Sequence, residues 1–239
     1  MARERAETSL FTNKKVRSAV EITIETIRDL LISRQLKPGD KLPSEIELSE
    51  NLQISRGSIR EAMKILASYG IINIRRGDGT YIAKEITDGL FDHLFLQMIL
   101  TDIDKKRLFE LRELIEMGMV KLVIENASDD DLSNIRFVHE KMVRAYNSGN
   151  CSINNLAELD KSFHIAIADA TKNLLIKKIY GFTLDLYTPS IITSVSRGGR
   201  GEYSVQHHEL ILEGLEERNS EKAIQAIKNS IEKWYILID

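Results

Sequence analysis

Two groups of polar residues in this chain have types and spacings that could do chemistry. Asp160 and His164 lie four residues apart, so on a helix they would share one face and could present a carboxylate and an imidazole to the same cation. The second group is the run Gln206-His207-His208-Glu209. The alternative for an isolated Asp/His pair is a surface ion pair or a core histidine with satisfied hydrogen bonds.

The segment from Leu42 to Ile82 predicts a different kind of site, and it begins with two successive helix-start signals. Ser44 and Glu47 have the spacing of a capping box, in which each side chain satisfies a backbone donor of the other residue. Ser55 is placed to cap the next helix. Two short capped helices in succession predict a helix-turn-helix.

The exposed start of the second helix carries groups that could bind DNA, namely Arg56, Gly57, Ser58 and Arg60. Arg56 and Arg60 are four apart and share a face, where arginine can contact phosphate or bind guanine O6 and N7. Gly57 would let the helix start approach the sugar-phosphate backbone closely. The predicted DNA-binding set also includes the two cap residues, Ser44 and Ser55.

A short hairpin is predicted next, with Ile71–Arg75 and Thr80–Ile82 on either side of a glycine-containing turn. Arg75, Arg76 and Gly77 lie at its tip, where a wing would meet the minor groove or phosphates. Two arginines on a helix are usually a solvated face, and such a turn alone is usually only a turn. The ordered series of elements predicts a winged helix-turn-helix whose second helix enters the major groove.

The charge distribution supports DNA binding at one end of the chain. The 239 residues have a net charge of −3, yet residues 14–84 contain 13 Lys and Arg against 9 Asp and Glu. Residues 85–239 contain 18 against 25, so a basic head precedes an acidic body. The single cysteine, Cys151, excludes an intramolecular disulfide. Without a signal peptide or a membrane-length apolar stretch, we expect a cytoplasmic protein with no membrane partner.

The body is predicted to be an antiparallel helical bundle, because no strand pattern follows Ala83. A connecting helix is expected over Asp88–Thr101. The bundle helices are predicted at Arg107–Asn126, Asp129–Tyr146, Asn155–Thr171, Leu174–Tyr187 (ended by Pro189), Ser204–Arg218 and Ser220–Tyr235. The predicted fold is therefore mainly α. Its three parts are a winged helix-turn-helix at 14–84, a linker and connecting helix at 85–104, and an all-helical domain at 105–239.

The N-terminal motifs resemble the DNA-binding domain of GntR-type bacterial transcription regulators, from about Lys15 to Lys84. The resemblance rests on Leu42-Pro43-Ser44-Glu45-x-Glu47-Leu48, Ser55-Arg56-x-Ser58-x-Arg60-Glu61-Ala62 and Gly77-x-Gly79-Thr80. It implies DNA contacts at Arg56, Arg60 and Gly77. The family usually has arginine where this chain has Ile46, which implies that one contact is missing and that the family's usual operator half-site does not transfer directly.

The body resembles the C-terminal ligand-sensing domain (FCD) of the FadR subfamily, through Asp160-x-x-Phe163-His164, His208-x-x-Ile211 and Ala223. That resemblance implies a divalent metal, Zn²⁺ or Ni²⁺ rather than Mg²⁺ because imidazole is a soft ligand, held by Asp160, His164 and His208. The family's last histidine is replaced by Ser230. The site is therefore a three-ligand site with open positions, a weak site, or one lost in favour of direct effector binding.

Arg112 interrupts an apolar helical face beside Leu108 and Leu111. One interpretation is an ion pair with Glu116, four residues later, which stabilises a helix by only about 0.2–0.5 kcal/mol. The resemblance implies the other, an arginine in the effector pocket whose planar fork binds a carboxylate. Both interpretations stay open.

The sequence thus predicts a homodimeric transcription regulator, most simply a repressor, that binds a pseudo-palindromic double-stranded operator. A small carboxylate metabolite is the expected effector. One alternative is a regulator whose helical domain only dimerises. A metal-dependent enzyme using Asp160, His164 and His208 is another, but no set of nucleophile, base and orienting group is visible, so no catalytic residues are predicted.

Overall fold

The computed structural model describes residues 17–85, 89–100, 104–197, 199 and 201–238. It divides into two compact units, Met1–His93 and Leu94–Asp239. The division falls inside the segment 85–104 that the sequence predicts to connect the two domains. The described part contains ten helices and one two-stranded antiparallel sheet, which confirms the predicted mainly α fold with a winged helix-turn-helix and a helical domain.

The first unit is built on three helices and a hairpin. They are α1 (Ala19–Ile32), α2 (Glu45–Leu52), α3 (Arg56–Ser68), β1 (Ile72–Arg75) and β2 (Gly79–Ile82). The predicted capping box of α2 is present, since Glu47 N donates to Ser44 Oγ and Ser44 N donates to Glu47 Oε2. Ser55 caps α3 by accepting from Ser58 N. The two helix starts are therefore fixed by local bonds.

One apolar core holds this unit together and leaves the start of α3 exposed. Ile59, Ala62, Met63 and Leu66 form the buried face of α3. Ile59, Met63 and Leu66 pack with residues of α1, α2 and both strands, including Ile27, Leu48, Ile72 and Ile82. The hairpin pairs Ile72 with Ile82 and Arg75 with Gly79, so the turn residues 76–78 form the tip of the wing.

The helical segment α4 (Gly89–Ile99) spans the division between the two units. The second unit then contains six longer helices. They are α5 (Lys105–Asn126), α6 (Asp129–Asn147), α7 (Ile153–Ala170), α8 (Leu174–Arg197), α9 (Glu202–Glu216) and α10 (Ser220–Leu237). Each helix predicted for the bundle is present. Its ends lie within about two residues of the predicted ones, except for the end of α8.

The prediction that the fourth bundle helix ends before Pro189 is wrong. Helix α8 runs through Pro189 to Arg197 and buries Tyr187, Ile191 and Val195 on either side of the proline. Proline removes one backbone donor and disfavours a helix interior. Pro189 itself is exposed, so the apolar face of α8 continues uninterrupted, and its burial outweighs the local cost of the proline.

The core of the second unit lies between all six of its longer helices, α5 to α10. Helices α9 and α10 approach closely where Gly214 faces the start of α10, since a Cβ on Gly214 would lie 2.6 Å from Ala223 N. That glycine is therefore required by packing. Among the described residues, no helix is long and apolar enough to cross a membrane.

Candidate functional sites

The three predicted metal ligands come together in the second unit. Asp160 and His164 lie on α7 and His208 lies on α9, and all three are buried. One ligand atom from each lies within 4.8 Å of the others. Asp160 is 3.9 Å from His164 Nε2 and 3.4 Å from His208 Nε2. The two imidazoles thus converge on one carboxylate through the same ring nitrogen.

The rings of both histidines are held by packing. Phe163 is fully buried and stacks on His208, with ring centroids 4.0 Å apart and an interplanar angle of 14°. His164 meets His208 edge to face at 5.1 Å. Burial lowers the pKa of His164 and, further, that of His208. Both rings are therefore neutral at neutral pH and have a lone pair that can bind a metal.

Arg112 and Glu116 form a buried ion pair on α5. Arg112 Nε donates to Glu116 Oε1 at 2.7 Å, and the two side chains are only 4% and 1% exposed. Burial by itself opposes both charges, but the neighbouring groups together outweigh it. Arg112 and the bond from Tyr180 contribute to lowering the pKa of Glu116, and Glu116 contributes most to raising the pKa of Arg112. Tyr180 on α8 also donates to Glu116 Oε1 at 2.7 Å. The pair is thus an internal feature of the bundle and not a surface pair.

The same arginine reaches the metal-ligand cluster. Arg112 Nη2 lies 3.3 Å from His164 Nε2. Because a guanidinium can only donate, His164 Nε2 accepts, and its proton is placed on Nδ1. The ion pair with Glu116 is therefore present, and Arg112 also lies beside the candidate metal ligands. Its binding of an effector carboxylate stays a prediction.

A small cavity connects the arginine with the cluster. Its lining includes Arg112, Asp160, His208 and Ser230, and the space open to the centre of a water molecule is about 10 Å³, which is room for about one water. The cavity therefore joins the predicted effector residue, two predicted metal ligands and the serine at the fourth-ligand position.

Several residues around the cavity were not predicted from the sequence. The sequence indicates Glu116 only as a helical partner of Arg112, and Tyr180, Tyr203 and Trp234 carry no local signal. Tyr203 lines the cavity and donates to Ser230 O at 2.6 Å. Burial raises the pKa of Tyr203, so its hydroxyl stays protonated. These residues come from α5, α8, α9 and α10, and only packing brings them together.

The first unit carries the predicted DNA-binding residues on its surface. Ser44, Ser55, Arg56, Gly57, Arg60, Arg75, Arg76 and Gly77 are exposed, and Ser58 is half-buried with its hydroxyl 2.9 Å from that of Ser55. Arg60 is 61% exposed and donates through Nε to Glu45 on α2 at 3.1 Å. Arg56 and Arg60 therefore remain open to an outside partner at the start of α3.

The surroundings of four positions on this surface bear on DNA contact. A Cβ at Gly57 would meet nothing closer than Ser55 Oγ at 3.9 Å, so the fold itself does not require glycine there. Ile46 is 46% exposed on α2, where the resembling family carries arginine. In the wing, Gly77 has a φ of +77°, which favours glycine, and Arg75 lies over the ring of Tyr81 at 4.4 Å.

Comparison with known proteins matches each of the two domains to a known family. Residues 20–82 match the gntR family of bacterial regulatory proteins, and residues 107–233 match the FCD domain. The chain belongs to the GntR family. It is a GntR-type transcription regulator with a winged helix-turn-helix and an FCD domain, as the sequence motifs predict.

Individual GntR relatives are similar over most of the chain. The HTH-type transcriptional regulator LutR of Bacillus subtilis is 33% identical over 61% of this chain and 64% of its own length. The Glc operon transcriptional activator of Escherichia coli is 33% identical over 75% of this chain and 69% of its own length. The solved structure of Streptococcus agalactiae GntR has a TM-score of 0.62 and 28% identity, covering 91% of this chain and 99% of that one. The two-domain architecture is therefore shared.

Proposed function

We propose that this GntR regulator is a homodimeric, metabolite-responsive repressor that binds a pseudo-palindromic operator and senses a small carboxylate in its FCD domain. The buried cluster of Asp160, His164 and His208, with Arg112 against it, is the observation that carries the sensing role. The proposal assigns no catalytic step to this cluster.

The DNA-binding half of the proposal rests on the exposed start of α3. Arg56 and Arg60 are on the same face of α3, and neither is buried. They can therefore enter a major groove, as side chains of the second helix of a helix-turn-helix do. Gly57 has no packing role within the protein, which agrees with a close approach of the helix to a sugar-phosphate backbone. Arg75, Arg76 and Gly77 extend the contact through the wing.

The sensing half rests on the donor set of the cluster. One carboxylate and two neutral imidazoles suit Zn²⁺ or Ni²⁺ in type and spacing. Ser230 is a poor ligand for such a metal, so the three protein ligands leave coordination positions open. A bound metal would supply a Lewis-acidic position for an effector oxygen. Effector binding would then change operator affinity through the coupling free energy between the two sites.

The DNA-binding assignment is tested with an operator selected from random duplexes by the wild-type protein. Arg56→Ala and Arg60→Ala should each weaken binding by about 1–3 kcal/mol where the arginine reads a base. Lys106→Ala, which removes one exposed positive charge from the second unit, is the matched control and should bind as the wild type does. Unchanged affinity in both arginine variants would overturn the assignment of α3 as the recognition helix.

The metal assignment is tested by elemental analysis of untagged protein purified without chelator. We expect near-stoichiometric Zn or Ni that is lost in His164→Ala. His207→Ala is the matched control, because His207 is a neighbouring histidine whose Nδ1 lies 3.0 Å from the Tyr203 carbonyl oxygen and which is not part of the cluster. Metal retained in His164→Ala would refute the assigned site.

A second candidate function is that the FCD domain serves only for dimerisation. It is favoured by Ser230 at the fourth-ligand position and by the small size of the cavity. In that case no carboxylate would release the protein from its operator, and wild-type protein would contain no metal. Operator release by any short carboxylate at a saturable concentration would exclude this candidate.

A further inference from the structure

Trp234 is the single tryptophan of the chain and it lines the cavity. It is 2% exposed, and its Nε1 has no hydrogen-bond partner among the described residues. An indole N–H can only donate, and a buried donor without an acceptor is costly. The buried indole N–H of Trp234 would therefore be stabilised by a hydrogen-bond acceptor that comes from outside the protein.

Arg112 lies against the same indole. Its guanidinium carbon is 5.0 Å from the ring centroid of Trp234. Two of its three nitrogens already have partners, since Nε donates to Glu116 and Nη2 donates to His164. These two bonds occupy the Nε–Nη2 edge of the guanidinium. A carboxylate in the cavity therefore meets the remaining N–H groups of Arg112, and a second donor close to the guanidinium would strengthen its binding.

We propose that Trp234 Nε1–H is that second donor and binds one oxygen of the effector carboxylate beside Arg112. This inference rests on the proposed sensing function and adds a residue that decides which ligands are accepted. The donor selects an anionic or strongly accepting oxygen. The cavity has room for about one water, so even formate has to displace packed side chains. Each added carbon has to displace more of them, which favours the shortest carboxylates.

The single tryptophan makes the contact directly observable. In ¹⁵N-labelled full-length protein the indole N–H gives one cross-peak, and a new hydrogen bond to a carboxylate should move it downfield. We would titrate formate, acetate, propionate and butyrate and measure affinity in parallel by calorimetry. The expected result is a saturable downfield shift that follows the calorimetric binding curve, with weaker binding for the longer acids.

Trp234→Phe keeps an aromatic ring next to Arg112 and removes the donor. For the acid that binds most tightly to the wild type, we expect its affinity to fall by about tenfold, the change that about 1.4 kcal/mol produces. Tyr187→Phe is the matched control. Its ring lies 6.0 Å from that of Trp234, and the hydroxyl that it removes bonds to Leu108 O. It should bind the acid as the wild type does, and both variants should retain operator affinity and cooperative thermal unfolding.

Three other outcomes would overturn the inference. If calorimetry detects binding but the indole cross-peak does not move, Trp234 is not the donor, and this holds even where Trp234→Phe fails to fold. Equal affinities of the wild type and Trp234→Phe would also exclude the donor while leaving carboxylate sensing in place. If none of the four acids binds the wild type, both the carboxylate-sensing function and the role of Trp234 are wrong.

Discussion

Arg112 Nη2 donates across 3.3 Å to His164 Nε2, the ring nitrogen that also lies nearest to Asp160. A lone pair that accepts this bond cannot bind a metal at the same time. The arginine contact and metal ligation are therefore alternatives at one atom. Metal binding would release one amino group of Arg112 into the cavity, which links the metal site to the carboxylate site by a direct physical contact.

Replacing Ser230 should strengthen the metal site. Ser230→Cys is nearly isosteric and offers a thiolate, which is a far better ligand than a hydroxyl for Zn²⁺. We expect at least about tenfold tighter Zn²⁺ binding, measured by competition with a chromophoric chelator, because a change of about 1.4 kcal/mol is enough for that factor. Ser230→Ala is the control and should bind Zn²⁺ as the wild type does. Unchanged binding by Ser230→Cys would show that position 230 does not face the metal.

Breaking the buried ion pair on α5 should destabilise the second unit strongly. Arg112→Met leaves the Glu116 carboxylate buried without its partner, which costs about 3–5 kcal/mol. Adding Glu116→Gln removes the uncompensated charge, keeps an acceptor for Tyr180 and should recover most of that loss. Urea denaturation of the two single variants and the double variant measures the effect.

The matched control for that cycle is an exposed pair on the same helix. Lys106 and Glu110 lie 3.6 Å apart at the same i,i+4 spacing, with exposures of 75% and 58%. Lys106→Met should change the free energy of unfolding by no more than about 0.5 kcal/mol. Equal effects of Arg112→Met and Lys106→Met would contradict the buried location of the Arg112–Glu116 pair.

Introducing arginine at position 46 should strengthen DNA binding. Ile46 is exposed on α2, so arginine fits there without disturbing the core. Ile46→Arg should raise affinity for duplex DNA and steepen its dependence on salt concentration by about one counterion, as one added phosphate contact does. Ile236→Arg adds the same charge at an exposed site of the second unit. If both variants gain equally, the effect is one of net charge and not of a contact on α2.

Asp131 should make the second unit more stable at neutral pH than in acid. It completes the capping box of α6 and accepts from Lys172 Nζ at 2.6 Å. The Lys172 and Ser128 bonds lower its pKa to about 2 from its usual 3.8. Because the folded-state pKa is depressed, this contribution is fully present above about pH 4 and is lost as the pH falls towards about 2.

The corresponding variant is Asp131→Ala, which should cost about 1 kcal/mol at pH 7, as the loss of a helix cap does. The difference from the wild type should shrink as the pH is lowered below about 4 in urea-denaturation experiments. Asp130→Ala removes a neighbouring exposed acid from the same helix turn and is the control. A difference for Asp131→Ala that stays constant down to pH 2.5 would contradict the linkage.

The sequence by itself determined the elements and much of the DNA-binding surface. The starts of α2 and α3 could be predicted because Ser44 and Ser55 bond to backbone groups only three residues away, and such bonds form wherever the helix forms. Asp160 and His164 could be placed on one face because helical periodicity alone aligns residues four apart. Family resemblance then assigned His208 and Ser230 to the same site.

Only the tertiary structure decided what surrounds those residues. Helix α8 continues through Pro189 because its buried face packs into the core, and no local pattern reports that gain. Arg112 and Glu116 have the spacing of an ordinary surface pair, and their burial depends on the helices packed around α5. Trp234 reaches the cavity from α10 for the same reason. Local bonds act over a few residues, whereas burial and the cavity result from packing between segments that are distant in the sequence.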